Sequence, residues 1–345
     1  MKRSLTFIVL ISSLVRVAFF AGAEEGGAEE VKKGGLFRET REMMGTVVEI
    51  ACFTGEENQV KESFVAAFGE IERLEAILSE YRADSAISAV NNAAGKEAVV
   101  VPTEVITIFR KALEISELSQ GAFDVTFAAV GKLWNFTGDG EIPDGEKIKE
   151  KLKLVGYKNV RVDAVKSAIF LQKEGMSAAL GGISKGYIVD RSLAVLNERA
   201  LANCFVNAGG DIAYSGDKGG EAWQIGIRDP DKKREYIAVV SAKGKGAIVT
   251  SGDYERFFIK EGRRYHHILD PRTGEPTNNG VRSVTVLAGD AMTADGLATA
   301  VFVLGAKKGF ALAKKQKGIE VLIMLDSGRT PLMTNGMKEK IKWVE

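Results

Sequence analysis

Histidine is almost missing from this chain. Two occur in 345 residues, and they are adjacent, His266 and His267. Cysteine is as scarce, with only Cys52 and Cys204. So few soft donors exclude a zinc centre built on a second His/Cys cluster. No charge of one sign dominates, since 47 Lys and Arg stand against 46 Asp and Glu for a formal charge of +1. That balance gives no electrostatic case for nucleic acid or an anionic membrane surface. Two nucleotide signatures are absent as well. Lys185 precedes its glycine, Gly186, instead of following it, so there is no Walker pattern, and no Gly-x-Gly-x-x-Gly occurs. A P-loop or a dinucleotide-binding Rossmann domain is therefore not expected. Neither a fixed-period repeat nor a Pro- or Ser-rich linker divides the chain.

The N-terminus carries an address. Met1-Lys2-Arg3 is a short basic region, Leu5 to Val15 is mostly apolar, and Ala21-Gly22-Ala23 is a small-x-small cleavage site. The apolar run is short for a transmembrane span, so residues 1–23 read as a signal peptide. Arg16 is a blemish on that reading. Removing Lys2, Arg3 and Arg16 with the segment takes the formal charge from +1 to −2. The expected location is periplasmic or on the outer face of the inner membrane. No cysteine near the cleavage site supports a lipoprotein. Residues 24–40 read as a flexible tether, rich in Glu, Gly, Ala and Lys over Glu24 to Gly35. Cys52 and Cys204 sit in apolar, strand-like runs. They could pair in an exported protein, but nothing in the sequence brings them together, so two separate buried thiols are expected.

Periodicity supplies the organisation. Met44 to Phe53 is a β-branched strand, and Glu57 to Ser79 an amphipathic helix with Val60, Phe64, Phe68, Ile71, Leu74 and Leu78 on one face. Thr103 reads as the N-cap of a second helix running to about Ser119. Lys185 to Glu198 forms a third. Strands are expected at Cys204–Val206, Trp223–Ile227, Ile237–Val240, Ala247–Thr250, Arg256–Ile259, Tyr265–Leu269 and Val281–Leu287. Thr293 then caps a helix that ends near Leu304 and Gly305. Helices, a run of strands and helices again make an α+β fold, with a largely antiparallel sheet region flanked by helices in one two-lobed domain.

Chemistry gathers at the edges of these elements. Five motifs rich in glycine or acid recur there: Met44-Gly45-Thr46, Gly121 to Thr126, Leu180 to Gly186, Asn207 to Asp211, and Thr250 to Tyr254. Glycine lets backbone N–H groups approach anionic oxygens, and Lys185 adds a cation at a helix start already suited to phosphate. Each glycine pair taken alone is also an ordinary tight turn. Asp295 and Thr299 lie one helical turn apart on the same face, a carboxylate and a hydroxyl suited to Mg2+. The plainer alternative is a helix-end acid and a packing threonine. Gly182-Ile183-Ser184-Lys185-Gly186 also satisfies the serine-hydrolase elbow pattern, but the run before it is short and Ala-rich. Met44, Tyr81, Phe123 and Tyr254 flank polar motifs where a flat ring could be held, although core packing would explain each one.

In their joint order these motifs resemble the ApbE family, the FAD:protein FMN transferases, from about Met44 to Gly305. The carriers are Met-Gly-Thr, Ser79-x-Tyr81 leading to Ser85 and Asn91, Gly-x-Phe-Asp-x-Thr, Leu-Gly-Gly-Ile-x-Lys-Gly-Tyr, Asn-x-Gly-Gly-Asp, His-Ile-x-Asp-Pro-x-Thr-Gly and Ala294-Asp295-x-x-Ala298-Thr299-Ala300. The resemblance implies an ApbE-like fold over residues 41–345 and Mg2+-dependent transfer of FMN from FAD to a Thr or Ser hydroxyl of an acceptor protein, with AMP released. The acceptor would be a flavin-bearing subunit of a membrane redox complex. It also implies FAD contacts at Met44, Tyr81, Ala122, Phe123, Asp124, Lys185 and His267. Mg2+ ligands would be Asp295, Thr299 and the Gly182 carbonyl. Ala179 departs from the family, where many relatives carry an acid. Lys185 would stabilise charge on the leaving group. His267 would position or deprotonate the acceptor hydroxyl, with Asp270 orienting it. Three alternatives stay open: an FAD pyrophosphatase giving FMN and AMP, a flavin-binding carrier, and a serine hydrolase acting through Ser184.

Overall fold

The computed structural model describes residues 34–231, 235–326 and 329–344. The expected signal segment lies outside them, as do tether residues 24–33. An eight-stranded antiparallel sheet forms the centre. Its strands run in the spatial order Gly35–Met43, Thr46–Thr54, Cys204–Ala208, Asp211–Ser215, Gly246–Gly252, Val281–Ala288, Glu320–Leu325 and Leu332–Met333. The helices Glu57–Leu78, Ser184–Glu198 and Ala291–Lys315 cover one face. The other face carries a three-stranded sheet of Ile341–Trp343, Tyr236–Ala242 and Trp223–Arg228. This is the expected α+β architecture.

The layering follows from period-two patterning in strands that bury both faces. Cys204, Val206 and Ala208 point into the helix-side core, which also holds Phe68, Ile71, Phe109 and Phe302. Phe205, between them, points the other way and meets Trp223 edge-on at 5.3 Å between ring centroids. Ala247, Ile248 and Val249 alternate likewise. Burying each large apolar side chain of this kind contributes about 1.5–3 kcal/mol before entropy is counted. The Ala291–Lys315 helix is long and apolar enough to cross a membrane by composition. Here it packs on the sheet instead, and Gly305, at φ 78° and ψ 173°, breaks it into two segments. Sequence placed the end of the first segment correctly.

Several expectations need correction. A strand begins at Gly35 and pairs with Thr46–Thr54 along its whole length, so the tether cannot extend to residue 40. Its charged side chains hid it, because this strand lies at the edge of the sheet. The long final helix is capped by Asp290, whose Oδ1 accepts from the Thr293 N–H at 2.7 Å, so Thr293 is inside the helix. Thr103 is likewise the first helical residue, after Pro102. The Tyr265–Leu269 run splits into a hairpin strand, Arg263–His266, and a short bridge, Leu269–Asp270. Finally, Cys52 and Cys204 are a disulfide and not two thiols. They sit opposite one another on adjacent antiparallel strands, a register invisible without the pairing partner.

Candidate active site

Two helices carry the buried half of the site. The Ser184–Glu198 helix starts directly after Leu180-Gly181-Gly182-Ile183, with no side-chain cap on its first turn. Its Gly186 packs so close to the final helix that a Cβ there would stand 2.2 Å from the Ala291 carbonyl oxygen, which explains the glycine. The approach lets the Gly186 N–H donate to Asp295 Oδ2 at 3.1 Å. One turn on, the Asp190 carboxylate accepts from the N–H groups of Ala291 and Met292, both at 2.9 Å. The two helices are thus locked in register where Lys185 and Asp295 face each other.

Charge is concentrated there. Lys185 Nζ donates to Asp211 Oδ2 at 2.7 Å, and Asp211 is 1% exposed. Burial works against the Lys185 ammonium, but Asp211, Asp295 and Glu255 outweigh it and raise its affinity for the proton above that of an ordinary lysine. Asp295 is buried, and desolvation together with the Asp211 charge pushes its carboxyl well above the usual range. The Gly186 bond is the only hydrogen bond to its side chain among the described residues. A buried carboxylate with spare acceptor capacity and neighbouring acids is the condition a hard cation relieves. Thr299 lies beside it, with Oγ1 3.5 Å from Ser251 Oγ, and a Cβ on Gly182 would stand 3.3 Å from that same Oγ1. Thr299 adjoins the Gly182 backbone one helical turn from Asp295, and the hard oxygens of the three are of the kind that fits Mg2+. Among the described residues no group of three or more His, Cys, Asp or Glu side chains is arranged to hold a metal. An ion here would rely on the mixed oxygen set.

The exposed half is built on turns. Met44 and Gly45 join the first two strands, both at positive φ, 54° and 67°. The two-residue hairpin turn demands that geometry, which is uncommon for methionine. Thr46 then lies against the Gly209 backbone, where a Cβ would stand 2.6 Å from Thr46 Oγ1, so two of the motifs adjoin. Tyr81 is 85% exposed on the segment after the first helix. Phe123 packs behind Gly182, its ring 3.2 Å from the Cβ position there. The hairpin Phe257–Lys260 with Arg263–His266 brings His267 to the same edge.

The histidine pair divides its work. His266 is buried. Its Nε2 faces the Thr277 carbonyl at 2.9 Å, and its Nδ1 accepts from the Ile268 N–H at 3.3 Å. Burial holds it at about 4, so it is a neutral structural residue. His267 anchors its backbone N–H on the Arg256 carbonyl at 3.0 Å, and its Nδ1 faces that same oxygen at 3.3 Å. Desolvation, with His266, Arg256 and Lys185 nearby, also lowers it to about 4. With Nδ1–H donating to the carbonyl, Nε2 keeps a free lone pair.

Asp270 departs from its expected role, and Asp124 and Ala122 also serve the fold. Asp270 does not orient His267. Its two oxygens accept from the Arg272 backbone N–H, Nε and Nη2, at 2.9, 2.8 and 2.6 Å, closing the Asp-Pro-x-Thr-Gly turn on itself. The Arg256 carbonyl holds the histidine instead. Asp124 spends Oδ1 on the Thr126 N–H and hydroxyl and Oδ2 on the Tyr157 N–H, at 2.8, 2.7 and 2.7 Å. It shapes the loop that presents Phe123. Ala122 is fully buried beneath that loop. A groove of about 400 Å3 runs past Gly121, Asp124, Tyr157 and Arg272, and none of Met44, Tyr81, Lys185, His267 or Asp295 lines it. No strand precedes Ser184, and no hydrogen bond joins it to either histidine among the described residues, so a hydrolase triad is not assembled. Sequence reasoning quoted Asp211 and Ser251 within motifs without giving them roles. It missed Glu255 and Arg256, which directly follow the Thr250–Tyr254 motif.

Comparison with known proteins shows the family and the fold. Residues 44–323 match the ApbE family. An FAD:protein FMN transferase of Treponema pallidum (strain Nichols) is 36% identical over 286 residues, 79% of each chain. One from Klebsiella pneumoniae (strain 342) is 34% identical over 74% of this chain and 80% of its own. The crystal structure of the ApbE protein from Thermotoga maritima superposes with a TM-score of 0.80 at 35% identity, covering 89% of this chain and 99% of that one. The flavin transferase ApbE from Vibrio cholerae gives 0.78 at 29% identity, over 89% and 99%.

Proposed function

This chain belongs to the ApbE family and is a flavin transferase, and from that premise we propose that it moves FMN from FAD onto a Thr or Ser hydroxyl of an acceptor protein, with Mg2+ bound and AMP released. The observation that carries the reading is the meeting of Lys185, Asp211 and Asp295 with His267 at the start of the central strand Asp211–Ser215. Mg2+ held by Asp295, Thr299 and the Gly182 carbonyl would neutralise phosphate charge. Everything else falls to side chains of the protein. Met44 and Tyr81 offer soft and aromatic faces for the flavin ring. Lys185, kept charged by Asp211, faces negative charge that grows on the leaving AMP as its bond to the FMN phosphorus breaks. The acceptor oxygen forms the new bond to that phosphorus, and its proton passes to His267 Nε2. A histidine held at about 4 is a weak base, so its first task is to orient the hydroxyl by accepting its hydrogen bond.

The Cys52–Cys204 disulfide supports export to an oxidising compartment. A flavin-bearing subunit of a membrane redox complex at the outer face of that membrane remains the proposed acceptor. The deciding experiment incubates the mature protein with FAD, Mg2+ and a flavinylation-competent acceptor domain. In-gel flavin fluorescence and released nucleotides are then read. A fluorescent acceptor with AMP in solution is the expected result. FMN and AMP with an unlabelled acceptor would make the chain a pyrophosphatase, and bound but intact FAD a carrier.

A further inference from the structure

The buried half of the site is poor in usable positive charge. Among the described residues Lys185 is the cation paired inside it, and Asp211, Asp295 and Glu255 act on it, while Arg228 and Arg256 reach only Glu255, at its outer side. A dinucleotide diphosphate brings two more negative charges. Even a bound divalent ion leaves this cluster short of cations, so further positive charge has to come from outside it. Three arginines near the hairpin are already committed: Arg264 and Arg282 to Asp253, at 3.6 and 2.9 Å, and Arg272 to Asp270 at 2.6 Å. Arg256 is not. Among the described residues no carboxylate lies within 4 Å of its guanidinium, although the adjacent Glu255 feels its charge, and its side chain is exposed. Its Nη2 lies 3.8 Å from the Cβ position of Gly45, within the Met44-Gly45 turn, and its N–H groups come within range of the Tyr81 hydroxyl. Its charge is felt at His267. Its carbonyl anchors that histidine.

We propose that the Arg256 guanidinium binds the diphosphate of FAD, while the same residue's carbonyl sets the His267 ring beside the phosphorus to be attacked. This inference rests on the flavin-transfer reading above. A planar fork of N–H donors suits phosphate oxygens in a way a lysine point charge does not. One residue then couples recognition to orientation, side chain to phosphate and backbone to base. The two roles are separable, because substituting the side chain leaves the carbonyl in place.

The test measures binding of FAD, FMN and riboflavin by flavin fluorescence quenching, in wild type, Arg256→Gln and Arg256→Lys. Arg263→Gln, on the hairpin and stacked over Tyr265, serves as the control. Arg256→Gln should weaken FAD and FMN roughly ten- to a hundredfold, the usual effect of losing a charged hydrogen-bond partner. Riboflavin, which has no phosphate, should bind within about twofold of wild type. Arg256→Lys should recover part of the loss, and Arg263→Gln should match wild type. Equal weakening of riboflavin would assign Arg256 to the ring and overturn the proposal, as would unchanged FAD binding. A wild-type protein that binds none of the three flavins would bring down the flavin-transfer reading itself.

Discussion

The two halves of the site are built on opposite principles. Lys185, Asp211 and Asp295 stand on two interlocked helices and a central strand, and the two acids are nearly inaccessible to water. Met44, Tyr81, Arg256 and His267 stand on a turn, a surface segment and a hairpin, with Tyr81 and Arg256 exposed and Met44 and His267 half-buried. Where charge must be stabilised during reaction, the donors and acceptors are rigid and desolvated, so little reorganisation is needed when the bond breaks. Where a large ligand must enter and leave, the side chains stand on turns and a hairpin, not on packed helices. The difference predicts that substitutions in the buried half act on turnover and those of Met44, Tyr81 and Arg256 on affinity, with His267, desolvated beside Lys185, siding with the buried half.

The sharpest break of that contrast is Asp295→Ala. It removes the only carboxylate of the proposed metal set, so Mg2+-dependent turnover should fall by at least about a thousandfold. FAD affinity measured without metal should barely move. Steady-state transfer against Mg2+ concentration reads both, and normal activity would remove Asp295 from the metal site. His267→Ala, on the hairpin side, should cost about ten- to a hundredfold in turnover, at or below the lower end of general-base losses because the base is so weak. Its FAD affinity should stay unchanged. Because His267 titrates near 4, it is neutral across neutral pH, and any loss of rate traceable to it should set in only as pH falls below about 5. A full transfer rate in this variant would end its role.

The disulfide offers a third comparison, between the site and the sheet beneath it. Cys52 and Cys204 lie 152 residues apart in sequence and join the strand after the Met44 turn to the strand before Asp211. Replacing both with alanine should cost about 2–4 kcal/mol of stability, mainly through the freed unfolded chain. Turnover measured well below the melting transition should stay close to wild type. A variant with intact stability would show that the sheet needs no cross-link.

Much of this was legible beforehand because glycines and acids mark places where backbone or ligand comes close. The close approaches at Gly182 and Gly186 and the burial of Asp211 and Asp295 fall in such motifs, and the helix faces followed from three-and-four spacing. The partner of His267 did not, since a backbone carbonyl has no sequence signature and the nearby Asp270 was the obvious side chain. The part Asp124 plays in its own loop was hidden for a related reason, since the Tyr157 N–H that it holds comes from a distant segment. The Cys52–Cys204 pair and the Gly35–Met43 strand depended on strand order, which local patterning does not encode.

The smallest effect concerns the lock between the two helices. Asp190 is largely buried, and burial raises its carboxyl from 3.8 to about 7, with Asp290 adding to the rise. The N–H groups of Ala291 and Met292 and the Lys245 charge oppose it. Between about pH 4 and 7 the folded protein therefore holds a proton at Asp190 that the unfolded chain has already released. Stability from this group is fullest at the acid end and drains away as pH rises through that window, levelling off above about 7. Asp190→Asn abolishes the titration and keeps one acceptor for the helix N–H groups. Melting temperatures of the two proteins, taken from pH 4 to 8, should shift in the variant's favour by a few degrees up to about pH 7 and then run parallel. Other buried acids are common to both proteins and cancel in the difference. Parallel curves throughout would mean that Asp190 is ionised in the fold, and that the two N–H donors at the helix start outweigh its burial.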